Sequence, residues 1–142
     1  MKDVFNFSIP YTIRVNELDY MGRVSQASVL NIFQEARIEY LAHIGDYTEL
    51  DIGDGCGLIQ NEAKISFIND MHQGDALKIN ARVSEVRGAS FIMSYQIHKG
   101  EVLMAEGETT LLAMDYTSRK PRRLPASFKK AMAEFEAEKP AS

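Results

Sequence analysis

The sequence predicts an α+β protein in which one long helix packs against an antiparallel sheet. Residues 26–44 carry apolar side chains at spacings of three and four, which is typical of an amphipathic helix. From residue 56 the apolar period changes to two and continues to residue 115, with short turns between the segments. Strands joined by short turns are antiparallel, so these segments are expected to form one sheet that covers the helix.

The first strand is predicted over residues 5–15, which are rich in aromatic and β-branched side chains. Pro10 interrupts it and cannot donate to a sheet ladder, so the strand is expected at an edge or with a bulge. A polar turn with Gly22 at its centre then leads into the helix.

The helix is predicted over residues 26–44. Ser25 or Gln26 is expected near its N-cap, and Gly45 is expected to end it. Its apolar side chains form a wide stripe, so the helix is expected to be largely enclosed by other structure. The stripe consists of Val29, Phe33, Ala36, Tyr40 and Ile44.

Four further strands are predicted over residues 56–69, 76–87, 90–98 and 101–115, which makes a five-stranded sheet. Residues 126–142 read as an amphipathic helical tail with a frayed end. A sheet wrapped around one helix leaves an edge strand open, and pairing that edge with a second copy would cover it. A homodimer or homotetramer is therefore expected.

Bulk composition narrows the possible functions. The length of 142 residues fits one domain, residues 1–142, and a formal net charge of −4 argues against nucleic-acid binding. No apolar stretch approaches the ~20 residues of a membrane span, and no secretory signal opens the chain, so the cytoplasm is the expected compartment. The single Cys56 and the scattered histidines give no metal-ligand spacing, so no metal site is expected.

Asp19 is the strongest candidate for chemistry because it lies on a tight turn just before the long helix. A helix N-terminus presents unpaired N–H groups and a partial positive charge, which would stabilise an oxyanion on a substrate carbonyl. A carboxylate nucleophile or general base beside such donors suits acyl transfer. The alternative is a turn-forming or capping aspartate, although Asp19 lies far from the helix start for an N-cap.

The stretch from Asp19 to Tyr40, DYMGRVSQASVLNIFQEARIEY, resembles the signature of the 4-hydroxybenzoyl-CoA thioesterase-like branch of the hotdog superfamily. That signature reads Asp-x-x-Gly-His-Val-Asn-Asn and continues into a helix ending in Phe-Glu-Glu-Ala-Arg. Residues 74–77 and 87–91 also resemble the family's later motifs, so the likeness covers roughly residues 9–130. The matching residues of the signature are Asp19, Gly22, Val24, Leu30, Phe33, Glu35, Ala36 and Arg37.

The resemblance implies a hotdog fold, dimerised edge to edge, that hydrolyses an acyl-CoA thioester. Asp19 would be the nucleophile or the base that activates water, and the backbone N–H of Gln26 would polarise the thioester carbonyl. The active site would lie at the dimer interface with parts from both chains. Coenzyme A (CoA) is part of such a substrate, so no separate cofactor is expected.

The sequence departs from the family pattern near the expected site. The family's histidine after glycine is Arg23, which could pair with Asp19, bind an anionic substrate or be a solvated turn residue. The family's tyrosine on the first helical turn is Val29. Glu35 could share in catalysis, as in another hotdog branch, or form a buried or rim ion pair with Arg37 or another arginine.

Binding of CoA would need cations or N–H donors for its three phosphates. The candidates are Arg87, Ser90, Arg119 and Lys120, the last two within a basic run that continues to Arg123. The alternative for this run is a solubilising segment of the tail.

Two other functions remain open alongside hydrolysis. A hotdog protein without turnover would hold an acyl-CoA or an acyl carrier protein, and the changes at Arg23 and Val29 motivate that alternative. A hydratase or dehydratase of the same fold would carry an aspartate and histidine pair, but no histidine follows Asp19 until His43.

Overall fold

Two helices and six strands follow one another along residues 5–137, the part of the chain that the computed structural model describes. Residues 138–142 of the predicted tail lie outside the described residues. A short 3-10 turn, Val15–Glu17, lies between the first strand and the long helix. The elements are β1 (Phe7–Thr12), α1 (Gln26–Ile44), β2 (Cys56–Phe67), β3 (Ala76–Val86), β4 (Ser90–Lys99), β5 (Val102–Asp115), β6 (Lys120–Pro121) and α2 (Ala126–Ala137).

The strands form one antiparallel sheet in the order β1-β3-β4-β5-β2, which confirms the predicted arrangement. The five predicted strands are present: four are shorter than their predicted ranges, and β4 extends one residue beyond its predicted range. The prediction missed β6, a two-residue strand that pairs Lys120 with Asp115 of β5. Pro10 lies in the edge strand β1, where its missing N–H costs no ladder bond to a second neighbour.

Helix α1 spans the predicted residues, and Ser25 is its N-cap. The Ser25 hydroxyl oxygen accepts a hydrogen bond from the backbone N–H of Ser28 at 3.2 Å, which satisfies one of the unpaired donors of the first turn. The apolar stripe packs against β3 and is buried except for its last residue, Ile44, which is half-buried. The opposite face, including Gln34, Glu35 and Ile38, is exposed. The helix is therefore covered on one side only within the described chain.

Gly45 ends α1, but for a different reason from the one expected. Its φ of 172° is extended backbone, not the left-handed conformation usual after a helix. A Cβ at this position would lie 2.5 Å from the ring of Tyr47. Glycine is needed here because the aromatic ring packs directly on the backbone.

The core lies between α1 and the inner face of the sheet. The ring of Phe33 stacks on Tyr95 with centroids 4.4 Å apart, and a Cβ at Gly107 would lie 2.8 Å from Phe33. Burying each such large side chain contributes roughly 1.5–3 kcal/mol. The alternating apolar residues of β3 and β4 are all buried: Leu77, Ile79, Ala81, Val83, Phe91, Met93, Tyr95 and Ile97.

Helix α2 covers the C-terminal end of α1. The ring of Phe135 meets that of Tyr40 edge to face with centroids 5.3 Å apart. The Glu136 carboxylate accepts hydrogen bonds from the Tyr40 hydroxyl and from the backbone N–H of Val83, where the register of β3 against β4 shifts. Among the described residues, neither helix is long and apolar enough to cross a membrane.

Candidate active site at the N-terminus of the long helix

The turn before α1 is organised around the carboxylate of Asp19. Its Oδ1 accepts hydrogen bonds from the backbone N–H of Met21 at 2.8 Å and of Arg23 at 3.2 Å. Gly22 has a φ of 77°, which lets the chain reverse tightly around this carboxylate. Within residues 5–137 no group donates a hydrogen bond to the second oxygen, Oδ2, which is available to a ligand.

Backbone hydrogen bonds join this turn to its surroundings. The N–H of Asp19 donates to the carbonyl of Arg23 at 2.6 Å, which closes the turn. The N–H of Val24 donates to the carbonyl of Met71, which ties the turn to the segment after β2. Gln26 is the first helical residue, so its N–H has no acceptor within the helix and points out of the N-terminus.

Asp19 and Gln26 line the same groove, which has a volume of about 290 Å³. In the sequence, the carboxylate and the helix N-terminus are close along the chain. The structure shows that they also face the same groove. Phe67, at the end of β2, is 41% exposed and adds an apolar wall. The other lining residues are Arg23, Val24, Ser25 and Asp70.

The Arg23 side chain lies on the wall of this groove and does not pair with Asp19. Its guanidinium nitrogen lies 3.9 Å from a carboxylate oxygen of Asp70, and both side chains are about half exposed. An ion pair this exposed contributes little stability. Arg23 is thus a solvated cation at the rim of the groove.

Val29, a departure from the family pattern, and Glu35, a predicted site residue, both lie away from the groove. Val29 is fully buried and packs in the core, so the departure from the family's tyrosine falls on a core position. Glu35 is exposed, and the alternative in which it pairs with Arg37 is wrong. Arg37, itself buried, instead donates to Glu49 at 3.0 Å and to the Tyr95 hydroxyl at 3.0 Å.

The ion pair between Arg37 and Glu49 joins α1 to the loop before β2. Burial alone would lower the pKa of the Arg37 guanidinium, but Tyr95 and Glu49 together raise it above its ordinary value. The Tyr95 hydroxyl also shares a hydrogen bond of 2.7 Å with Thr109 on β5. This network satisfies a buried charge and gives it a structural role.

The candidate CoA-binding residues gather at one place in the fold. The N–H of Leu124 donates to the carbonyl of Gly88 at 2.9 Å, so the segment after β6 runs beside the turn that carries Arg87 and Ser90. Arg119 and Lys120 are exposed on the same side, next to the end of β5. The Arg87 guanidinium already pairs with the carboxylate of Glu85.

This basic cluster and the Asp19 groove lie at opposite ends of the sheet. Phe67, at the last position of β2, lines the groove. Cys56, at the first position of β2, pairs with Asp115, which is also the partner of Lys120. Twelve residues of extended strand separate the two ends by roughly 36 Å.

Glu17 and Tyr11 are features of the site region that the sequence analysis missed. Glu17 is a buried carboxylate two residues before Asp19, and the Tyr11 hydroxyl on β1 donates to it. Burial and the neighbouring Glu17 carboxylate raise the pKa of the Tyr11 hydroxyl. No spacing rule links a strand tyrosine to an acid six residues later, so the pair emerges only from the fold.

The groove contains two groups that suit acyl transfer, a carboxylate and the N-terminus of a helix. A carboxylate of this kind suits attack at a carbonyl carbon or activation of water, and an unpaired N–H suits stabilisation of the carbonyl oxygen. Across residues 5–137, no three His, Cys, Asp or Glu side chains converge as a metal site would require.

Comparison with known proteins finds thioesterases among the similar sequences and structures. The chain is 25% identical over 130 residues to the acyl-CoA thioester hydrolase YbgC of Escherichia coli, covering 91% of this chain and 95% of that protein. It superposes on a 1,4-dihydroxy-2-naphthoyl-CoA thioesterase from Synechocystis with a TM-score of 0.81 at 23% identity, covering 93% and 98% of the two chains. A Thermus thermophilus thioesterase crystallised with coenzyme A and zinc gives a TM-score of 0.82 at 20% identity, covering 95% and 97%.

The length of the match to a family sequence model identifies the family of this chain. A sequence model of the thioesterase-like superfamily matches residues 13–132, which include the Asp19 turn, α1, the whole of β2–β6 and part of α2. The solved structures establish the fold, and the matched range includes every residue of the candidate site. The expected hotdog thioesterase is therefore confirmed, and the chain belongs to the thioesterase-like superfamily.

Proposed function

We propose that this protein hydrolyses acyl-CoA thioesters in the groove lined by Asp19 and Gln26. The observation that carries the proposal is the shared groove: an Asp19 carboxylate with one oxygen available faces the same space as the N-terminus of α1. Membership of the superfamily and the name of the YbgC relative support a thioester as the substrate.

In the proposed reaction, a water oxygen attacks the thioester carbonyl carbon while Asp19 accepts the proton from that water. The carbonyl electron pair moves to the oxygen, and the resulting oxyanion accepts a hydrogen bond from the Gln26 N–H. Collapse of this intermediate breaks the carbon–sulfur bond. The thiolate of CoA leaves and takes up the proton that Asp19 accepted, so the products are a free acid and CoA and the carboxylate is restored.

A second route uses the same carboxylate as a nucleophile. Asp19 would then attack the carbonyl carbon, release the thiolate and form an anhydride that water hydrolyses afterwards. A single turnover in heavy-oxygen water tests for the second route. Label entering the Asp19 side chain shows that an anhydride formed and was opened at the aspartyl carbonyl. Label found only in the product acid means that water attacked the acyl carbonyl, either of the thioester or of the anhydride.

We further propose that two copies pair through β2. This strand is a twelve-residue sheet edge without proline, and residues 60–64 are exposed on both faces. An unpaired edge of this length favours addition of another strand. The other edge, β1, is half as long and contains Pro10, so it is the poorer partner.

Antiparallel pairing of two β2 strands would complete the site. It would place the Asp19 end of one chain beside the basic end of the other. The pantetheine arm of CoA is about as long as four extended residues, about 15 Å. Because roughly 36 Å separates the groove from Arg119 and Lys120 in one chain, a single CoA would need the two sets from different chains.

The first test is thiol release from short-chain, long-chain and aromatic acyl-CoAs by the wild type and Asp19→Asn. Loss of the carboxylate should lower kcat by at least about 100-fold, because the proton acceptor or nucleophile is gone. Asp46→Asn is the matched control, since Asp46 is exposed in the loop after α1 and does not line the groove. It should turn over like the wild type.

Binding of CoA esters by a folded wild type that turns over no member of the panel would overturn hydrolysis. That result would favour the alternative that the departure at Arg23 motivates, a hotdog protein that holds an acyl-CoA or an acyl carrier protein. Equal turnover by Asp19→Asn and the wild type would instead remove Asp19 from the mechanism.

The shared site is tested by subunit complementation. Asp19→Asn and the double variant Arg119→Ala with Lys120→Ala should each be weakly active alone. Co-expression should restore up to about a quarter of wild-type activity, because random mixing makes half the dimers mixed and each mixed dimer holds one site with both native parts. Absence of recovery, with mixed dimers verified by mass, would show that each site is built within one chain.

A further inference from the structure

Glu17 carries the most informative contacts that the proposed reaction does not use. Its side chain is buried, with the residue only 8% exposed, and a buried carboxylate is costly unless it is hydrogen-bonded. One oxygen accepts the backbone N–H of Arg14 at 2.7 Å, and the other accepts the hydroxyl of Tyr11 on β1. The carboxylate therefore ties the 3-10 turn to the edge strand.

The backbone of the same residue reaches the helix. The Glu17 carbonyl accepts a hydrogen bond from the N–H of Ser25 at 3.3 Å, and Ser25 is the N-cap of α1. Leu18 and Val24 pair as an antiparallel bridge directly beyond this bond. The loop that begins and ends at this bond contains Asp19, and Gln26 follows Ser25 immediately.

We infer that Glu17 and Tyr11 are a positioning pair, which holds the Asp19 turn in register with the N-terminus of α1. The inference rests on the proposed hydrolysis and adds two residues to it. Neither residue lines the Asp19 groove; both line a separate groove beside Glu35. In this inference they therefore act on the reaction through the position of Asp19 and Gln26.

The physical consequence is a dependence of turnover on a hydrogen bond outside the site. A displacement of about 1 Å between reacting groups can cost on the order of 100-fold in rate. Releasing the Glu17 carboxylate from β1 frees the turn on one side, while Ser25 still holds it on the other. The expected effect is therefore a partial loss of kcat with little change in KM.

The molecule supplies a matched control in a second tyrosine–glutamate pair. Tyr40 donates to Glu136, and that carboxylate also accepts a backbone N–H, from Val83 at 2.9 Å. The chemistry is the same as in the Tyr11 pair, but it lies at the other end of α1. Tyr40→Phe therefore removes an equivalent hydrogen bond without touching the Asp19 turn.

The experiment compares Tyr11→Phe, Glu17→Gln and their double variant with Tyr40→Phe. Two quantities are measured: kcat and KM on the best acyl-CoA, and hydrogen exchange of the Met21 and Arg23 amides, which donate to Asp19. Tyr11→Phe should lower kcat about tenfold, leave KM within about twofold and speed exchange of both amides. The double variant should resemble the worse single variant, because the two residues act as one unit.

Tyr40→Phe should lower the melting temperature yet leave kcat and the exchange of the two amides unchanged. Equal effects of Tyr11→Phe and Tyr40→Phe on kcat and exchange would overturn the positioning role in favour of general stabilisation. The exchange measurement needs no turnover. A wild type without thioesterase activity would therefore refute the proposed hydrolysis, while the amides would still decide whether the pair holds the turn.

Discussion

The two ends of α1 are built in opposite ways. At the C-terminal end, called here the closed end, the rings of Phe7, Tyr40, His43 and Phe135 contact one another and α2 lies over them. At the N-terminal end, the open end, Tyr20 is 97% exposed and the Asp19 turn is held by hydrogen bonds more than by packing. Apolar burial is concentrated at one end, and the reactive groups are at the other.

This contrast shows how the chain separates stability from function. A substrate can reach a carboxylate and a helix N-terminus only where no apolar layer covers them, so the open end forgoes burial energy. The closed end compensates with aromatic packing and with a satisfied buried polar network. Variants at the closed end should therefore change stability, and variants at the open end should change turnover more than stability.

The largest expected effect on stability comes from removing the carboxylate partner of Arg37. That partner, Glu49, lies in the loop after the closed end. Glu49→Ala leaves a buried guanidinium without its carboxylate and should cost roughly 3–5 kcal/mol of unfolding free energy. Glu49→Gln keeps an acceptor and should cost clearly less. Urea unfolding measures both variants, and equal stability of Glu49→Ala and the wild type would mean that Arg37 finds another partner or water.

Phe135→Ala should have the next largest effect. It removes a ring that contacts Tyr40 and His43 under α2, and truncation of a buried phenylalanine costs about 3 kcal/mol. Turnover per folded molecule should stay at the wild-type value because the groove is at the other end of α1. A drop in kcat that follows the loss of stability would show that the two ends are coupled.

Gly22→Ala probes the open end. Gly22 has a φ of 77° with nothing within 4 Å of an added Cβ, so the change introduces backbone strain of roughly 1–2 kcal/mol and no clash. Gly100 in the β4–β5 turn has a φ of 61° and the same open surroundings, so Gly100→Ala is the matched control. Both should lose similar stability, but Gly22→Ala alone should lower kcat.

The smallest expected effect is a pH dependence of stability that arises from Asp75, at the open end. The backbone N–H of His72 and the Lys99 ammonium donate hydrogen bonds to the Asp75 carboxylate. They hold the pKa of this carboxyl below its ordinary 3.8. A depressed folded-state pKa stabilises the protein above that ordinary value, and the gain is lost as the pH falls through the folded-state pKa. The stability difference between wild type and Asp75→Asn should therefore be constant near neutrality and shrink in acid. A constant difference throughout would remove Asp75 from acid unfolding.

The sequence by itself determined the helix, the strands and the candidate carboxylate. Residues three or four apart meet on a helix, and alternate residues share a face of a strand, so the bounds of α1 and the buried residues of β3 and β4 follow from local spacing. The Asp19 turn was found for the same reason, since its glycine and the helix start are neighbours along the chain.

Tertiary structure alone decided which distant groups meet. An ion pair between Glu35 and Arg37 is one of the alternatives that the sequence leaves open, yet the rotation of α1 turns Arg37 inward to Glu49 and leaves Glu35 in solvent. The groove and the basic cluster lie at opposite ends of the sheet. No local sequence pattern shows this separation. Such contacts depend on how the strands pair and on the direction in which the helix crosses them, and neither is encoded in short-range periodicity.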